Sequence, residues 1–468
     1  MGSFLSSTAV FKCFQRALLA KKANIFWFRM LTQNLSTKRK DTQQVKTKYK
    51  IVQTKATPFG GLYVISEFLD KISFHDLFNK VFKKFRKVRY YQPSHNVSLL
   101  TAMLITGGER LSDIEHFAND QTVCRLFDMP SVPVDTTLRD DMLLIGQQDS
   151  ARAELLLRLN EMLFDKLNLR SITIDIDGTA LPVDGRQEGA EKGYCPAEPG
   201  SRCFQSVKAV CDTTETVIAE KTMSGECHCA NGIIDFIKPW LERLTSKVDH
   251  IKLRLDAGFY SDELLKFLES YAKVTFEIGV PQHQWLQDKV RHIDYRSYFH
   301  SKRQYASWAY GEGLNGAFRY YYVERSHKKN GTQLDLFDID QYNYRVVASN
   351  RQRQPHVIFK SYNKKARVEK HIEEQKNNYG LGKLVSGSFT VTKALCWLCH
   401  LAFTIIGMLR QIAFRRQMKK YRLKRLRFIL ISSCGWFVEH ARKRIYKIAV
   451  NRISPCQFDA LMQRIWAW

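Results

Sequence analysis

The order of periodicities along the chain predicts an α/β protein. It has an all-helical N-terminal stretch, a mixed sheet carrying a β-rich insertion, and a return to helices. Three observations lead there. Apolar residues recur at helical spacing up to about residue 169, as in Leu62, Ile65, Phe68 and Leu69 and in Leu99, Leu100, Met103 and Leu104. From Ile172-Thr-Ile-Asp-Ile-Asp177 the pattern alternates, as a strand does. From Tyr362 onward it is helical again.

Residues 1–50 hold eleven Lys or Arg and one acid, Asp41. They read as a disordered basic leader, with a transit peptide as the alternative. A helical domain covers 51–168, its first helix starting near Thr57-Pro58. The basic run Lys83–Arg89 within it is a solvated face or a phosphate contact, with even weight on each. Residues 169–281 then give strands at Ile172–Asp177, Phe204–Cys211 and Thr216–Met223, a helix over Ile233–Leu244, and a strand at Ile251–Leu255. A helix from Ser261 and a strand carrying Val274, Phe276, Ile278 and Val280 complete the unit. Three strands, a helix and a fourth strand is the order of a ribonuclease H-like core, although other mixed α/β folds share it. Residues 282–349 are Tyr-rich, with a hairpin turn expected at Asn330-Gly331 and a closing strand at Tyr344–Ala348. The last core helices occupy 350–412 and a basic C-terminal region 413–468.

Composition narrows the function. The 468 residues carry 73 Lys and Arg against 46 Asp and Glu, a net charge of +27, which points to a polyanionic partner. Nucleic acid leads and an anionic membrane surface is second. Between Glu374 and Glu439 there is no acid, while Arg410 to Arg427 holds nine Lys or Arg. Eleven cysteines are too sparse for a disulfide scaffold and read as buried thiols in a reducing compartment. The most apolar run, Ala394–Leu409, is shorter than the roughly 20 residues a bilayer needs and reads as a buried helix, so a polytopic membrane protein is not expected.

The candidate chemistry starts with acids on strands. Asp175 and Asp177 lie two apart and point to one face. Asp256 ends another strand just before Gly258 lets the backbone turn. In this strand order the first and fourth strands are neighbours, which brings Asp177 to Asp256, and a divalent cation relieves the repulsion of paired carboxylates. Farther on, a helical wheel advancing about 100° per residue puts Tyr362, Lys365, Glu369 and Lys376 within about 60° of one another. A carboxylate between two cations and a phenol suits metal and phosphate chemistry.

With these residues in place, the sequence resembles the DDE-type transposases of bacterial insertion sequences, in the branch with a Tyr-(2)-Arg-(3)-Glu-(6)-Lys motif (DDE domain group 1). Tyr362-(2)-Lys365-(3)-Glu369-(6)-Lys376 matches every interval. Asp177-Gly178-Thr179, Asp256-Ala257-Gly258-Phe259, Gly185–Tyr194 and Pro58-Phe-Gly-Gly-Leu62 also match, so the likeness spans about residues 57–430. The resemblance implies a DNA transposase in which Asp177, Asp256 and Glu369 are catalytic and hold two Mg²⁺ ions, Mn²⁺ being an acceptable substitute. Tyr362, Lys365 and Lys376 would bind DNA phosphates, and Trp308 is the candidate to stack on a flipped base, the alternative being a core Trp of the insertion. The implied partners are double-stranded terminal inverted repeats, target DNA and a second copy in a synaptic homodimer, without a membrane, in a bacterial, nucleoid-associated cytoplasmic setting. Lys365 stands where the branch has Arg, so a bidentate clamp becomes a point charge, and Arg367 lies too far round the wheel to replace it.

The rival readings are a ribonuclease H-like nuclease without strand transfer and an inactive DNA-binding relic. Cys396-Trp-Leu-Cys399-His400 has haem-attachment spacing but sits in an apolar helix, so packing is expected. Cys227-His228-Cys229 lacks a second pair for zinc. Asp135 reads as a helix cap and Asp212 as part of a hairpin turn. The run Arg415–Arg427 reads as a DNA contact before an interfacial helix.

Overall fold

The computed structural model describes residues 55–83, 85, 90–298, 302–312, 318–328 and 342–468. The basic leader, most of the run 83–89 and the Asn330-Gly331 turn lie outside these. Residues 55–468 form one compact unit.

Helices α1 (Leu62–Lys71), α2 (Phe74–Val81), α3 (Pro93–Thr106), α4 (Gln121–Leu126), α5 (Asp135–Gly146) and α6 (Asp149–Lys166) come first. Leu62, Ile65, Phe68 and Leu69 are buried as the spacing predicts. The first helix starts four residues after Pro58, because Thr57 instead pairs with Gly435 through two backbone hydrogen bonds of 2.8 and 3.0 Å. Gly61 is required there, since a Cβ would lie 2.1 Å from the Leu430 carbonyl oxygen. Asp135 is in the first turn of α5 rather than its cap, and pairs with Arg139 at 3.7 Å.

The sheet follows with β1 (Ser171–Pro182), β2 (Glu191–Lys192), β3 (Arg202–Cys211), β4 (Thr216–Ser224), α7 (Ile233–Lys247), β5 (His250–Leu255), α8 (Asp262–Glu269) and β6 (Val274–Gly279). Then come α9 (Gln284–His292), β7 (Arg296–Ser297), β8 (Arg303–Glu312), β9 (Phe318–His327) and β10 (Tyr342–Ser349). Strand order is β2-β3-β1-β5-β6-β10-β9-β8-β7, with β4 on β3. The insertion strands therefore extend the central sheet, β10 pairing antiparallel with β6. Alternation identifies strands but not the edge they join. As the strand order predicts, β1 runs parallel beside β5, Ile176 opposite Leu255.

The two faces of this sheet differ. Ile172, Ile174, Ile176, Leu253, Leu255 and Phe276 pack on α7 and α8. The polar residues of the alternation do not face solvent. Asp175, Asp177, Lys208, Arg254 and Glu277 are all buried. They lie on the side covered by α10 (Pro355–Tyr362) and α11 (Ala366–Asn378).

Helix α12 (Phe389–Ile412) is longer than the run Ala394–Leu409 suggested. By length and composition it could cross a membrane, but 83% of its most apolar window is buried inside the protein, so it is a core helix. Its Trp397 indole N–H donates to the Arg152 carbonyl at 3.1 Å. After it, α13 (Leu423–Leu426), the hairpin β11 (Gly435–His440) and β12 (Lys443–Ile448), and α14 (Pro455–Trp466) fold back on the first helices. The Tyr446 hydroxyl donates to the Gly60 carbonyl at 2.9 Å, and Trp466 to Glu67 at 2.8 Å. The helices of the N-terminal stretch and the C-terminal segment share one hydrophobic cluster with α12.

The buried polar face depends on Arg254, which grips Asp175 with two hydrogen bonds of 2.5 and 2.8 Å. Its third contact is Asp212 at 3.0 Å. Removing one partner leaves an uncompensated buried charge, costing about 3–5 kcal/mol. Arg254→Met is expected to lower the chemical unfolding free energy by that amount, and the double variant Arg254→Met/Asp175→Leu to recover part of it. Equal stability of Arg254→Met and wild type in urea titration would contradict this.

Candidate active site

The register of β1 and β5 positions the first two acids. Ile176 faces Leu255, so the next residue of each strand, Asp177 and Asp256, leaves the pair side by side. Asp177 is buried within β1 while the Asp256 side chain remains 53% exposed at the end of β5. Lys365 closes the gap. Its Nζ lies 2.8 Å from Asp177 Oδ1 and 2.8 Å from Asp256 Oδ1.

This trio is electrostatically tight. Burial lifts the Asp177 carboxyl to about 6, Asp256 adds to the rise, and the Lys365 ammonium opposes it. Burial on its own would lower the Lys365 ammonium, but the two carboxylates outweigh it and raise it to about 12. The site thus sets one ammonium between two acidic side chains.

The remaining stripe residues gather around that trio. The predicted single helix is in fact two, because α10 ends at Tyr362 and a 3-10 turn, Asn363–Lys365, leads into α11. Backbone angles stay right-handed through the turn, so the residues still share a side. The Tyr362 hydroxyl donates to the Leu255 carbonyl at 3.2 Å, and burial beside Asp256 pushes it up to about 12. Gly279 leaves room for that ring, since a Cβ would sit 2.7 Å from the Tyr362 oxygen. Lys376 Nζ donates to the Ala180 carbonyl at 2.9 Å, farther along β1. Arg367 is turned away to Asp212 at 3.4 Å, as the wheel predicts.

Glu369 is exposed in the first turn of α11, one turn after Lys365 and on its side of the helix. It does not join the pair. Among the described residues no three His, Cys, Asp or Glu side chains converge closely enough to hold a metal ion. Asp177 and Asp256 nonetheless form a donor set of the kind a hard divalent cation takes, and the ammonium between them already fills a cation's place.

A cleft of ≈ 420 Å³ opens beside the acids, lined by Gly178, Tyr194, His228, Asp256 and Lys376 among others. Cys229 also lines it, but burial pushes its thiol up to about 11, with Asp177 adding, so it is a protonated packing group. Cys396, Cys399 and His400 are buried in α12 as expected. Trp308 lies on β8, half-buried and stacked on Tyr321 with centroids 5.5 Å apart. Next to it Trp285 and Tyr310 stack at 5.7 Å and remain 43% and 50% exposed.

Two residues beneath the site escaped the sequence reading. Arg254 fixes Asp175, and Lys208, directly opposite Asp177 in the ladder, donates to Gln375 of α11 at 3.0 Å. Both are charges in the middle of apolar strands, and that is the signal that could have revealed them.

Comparison with known proteins gives the family. No curated protein matches the chain. Among solved structures it is similar to the piggyBac transposase of a synaptic complex with hairpin DNA, with TM-score 0.41 and 13% identity over 80% of each chain. The family model for the transposase DDE domain, group 1, matches residues 44–467. With nearly its whole length matched, the chain belongs to the group 1 DDE transposase family.

Proposed function

We propose that this transposase cuts DNA at the terminal inverted repeats of an insertion sequence and joins the 3′ ends to target DNA. The observation that carries the reading is the single ammonium held between Asp177 and Asp256. Two carboxylates from adjacent strand ends, one of them exposed to an open cleft, are arranged around positive charge where a phosphodiester can reach them.

Asp177 and Asp256 would hold Mg²⁺, with Glu369 as third ligand from α11 and Mn²⁺ as a substitute. When bound, two such ions lower the pKa of an attacking water or 3′-hydroxyl and stabilise the leaving oxygen. Lys365 would exchange its carboxylate contacts for a DNA phosphate. Lys376 and Tyr362, on either side of it, orient the same strand. A lysine in place of arginine gives a point charge that can move between partners, where a guanidinium would hold a fixed fork. The net charge of +27 supplies the long-range attraction to the duplex. Pairing two transposon ends requires at least a homodimer during reaction.

The test is cleavage of a labelled duplex carrying the element's own terminal repeat, in Mg²⁺ and in EDTA. Cutting at the repeat boundary is expected only with metal. Asp177→Ala, Asp256→Ala and Glu369→Ala are each expected to slow it by about 100-fold or more, matching several kcal/mol of lost charge stabilisation. Specific binding with no cutting by any form would leave a DNA-binding relic. Cutting without joining to a target plasmid would leave a nuclease.

A second prediction concerns the aromatic group on the insertion. With 2-aminopurine as the base beside the cut, wild type is expected to change its fluorescence on binding, and Trp308→Ala to lose that change. If Tyr310→Ala loses it and Trp308→Ala does not, the stacking role belongs to the exposed pair.

A further inference from the structure

The reverse side of α11 carries a second basic site, outside the acid pair and its cleft. Between α11 and the segment leading into α13 lies a cleft of ≈ 510 Å³ lined by Arg367, Lys370, Lys419, Lys420, Tyr421 and Arg422, with Glu215, His371, Glu374 and Arg410 at its base. The acids there are already engaged. Glu374 accepts from Arg410 at 2.8 Å and from the Leu423 backbone at 2.9 Å, and Glu215 lies 3.5 Å from Arg410. Arg422 meets Glu373 at 3.5 Å, an exposed pair of little worth. Lys370 and Lys420 are exposed and have no acid partner among the described residues. Arg415, Arg416 and Lys424 continue the exposed positive surface, and Arg425 stacks on Tyr421 at 4.3 Å.

We infer that this cleft is a second phosphate track for duplex DNA. The inference rests on the transposase reading and extends it to a surface that does no chemistry. Charge complementarity favours duplex DNA as the occupant, because the exposed Lys370, Lys420 and Arg422 of the cleft run on into Arg415, Arg416 and Lys424 as an extended row of cations. An anionic membrane is the weaker occupant. An interfacial segment needs a continuous exposed apolar face, whereas Leu423, Leu426 and Leu430 are buried in the core and Phe428 alone of the large hydrophobics in this segment is exposed.

The test compares the full-length protein with the triple variant Lys370→Gln/Lys420→Gln/Arg422→Gln on a random-sequence duplex in EDTA, across a series of KCl concentrations. Each phosphate contact contributes about 0.9 to the slope of log Kobs against log salt. The variant is expected to lose about 2–3 from that slope and to bind at least about 10-fold more weakly at low salt, while the charge-matched variant Lys238→Gln/Lys247→Gln/Lys266→Gln, on α7 and α8 at the opposite face of the sheet, keeps the wild-type slope. Wild-type slope and affinity in the triple variant would overturn the inference. So would an unchanged DNA slope together with lost binding to phosphatidylserine vesicles. No duplex binding by wild type would instead bring down the transposase reading itself, and this site with it.

Discussion

One ammonium group organises this molecule's centre. Asp177 and Asp256 come from neighbouring parallel strands whose register leaves the two carboxylates side by side. Like charges so placed repel, and one of them is buried. Lys365 bridges both at 2.8 Å, and it stands at the start of α11. The electrostatic need of the strand ends and the docking of the helix are thus met by the same contact. Lys208 to Gln375 and Lys376 to Ala180 repeat the pattern along α11, tying helix to sheet by polar contacts instead of apolar ones.

This explains why the sheet is polar on one face and yet buried. The ion pair of Arg254 with Asp175 and the bridge by Lys365 satisfy charges that would be costly if left alone. The opposite face is built from Ile, Leu and Phe packed on α7 and α8. One side of the sheet thus packs by apolar contact, and the other is held to its helices by paired charges.

Much of this was legible in the sequence. The change of period at Ile172 located the first strand, and the spacing from Tyr362 to Lys376 located the stripe that meets it. The strand order was enough to place Asp177 next to Asp256. What the sequence could not convey were long-range pairings. Thr57 bonding Gly435 shifts the first helix start, and the insertion strands join β6 to make one sheet. The partner of Asp175 was hidden because a charge in an apolar strand has a visible cost but no visible address. Likewise the wheel put Glu369 on the same side of the helix as Lys365, but rotation about a helix says nothing of whether an exposed carboxylate reaches inward.

The central claim is that Asp177 and Asp256 form a cation site held in waiting by Lys365. Mn²⁺ binding, followed by the electron paramagnetic resonance signal of the free ion, tests it without any DNA. Removing the competing ammonium in Lys365→Met should tighten Mn²⁺ binding by about 10-fold or more, consistent with a charge-pair change of at least about 1.4 kcal/mol. It should also make the variant's thermal midpoint rise with added Mn²⁺, and the addition of Asp177→Ala should abolish both effects. Equal Mn²⁺ affinity in Lys365→Met and wild type, with no metal-dependent shift in midpoint, would contradict the account.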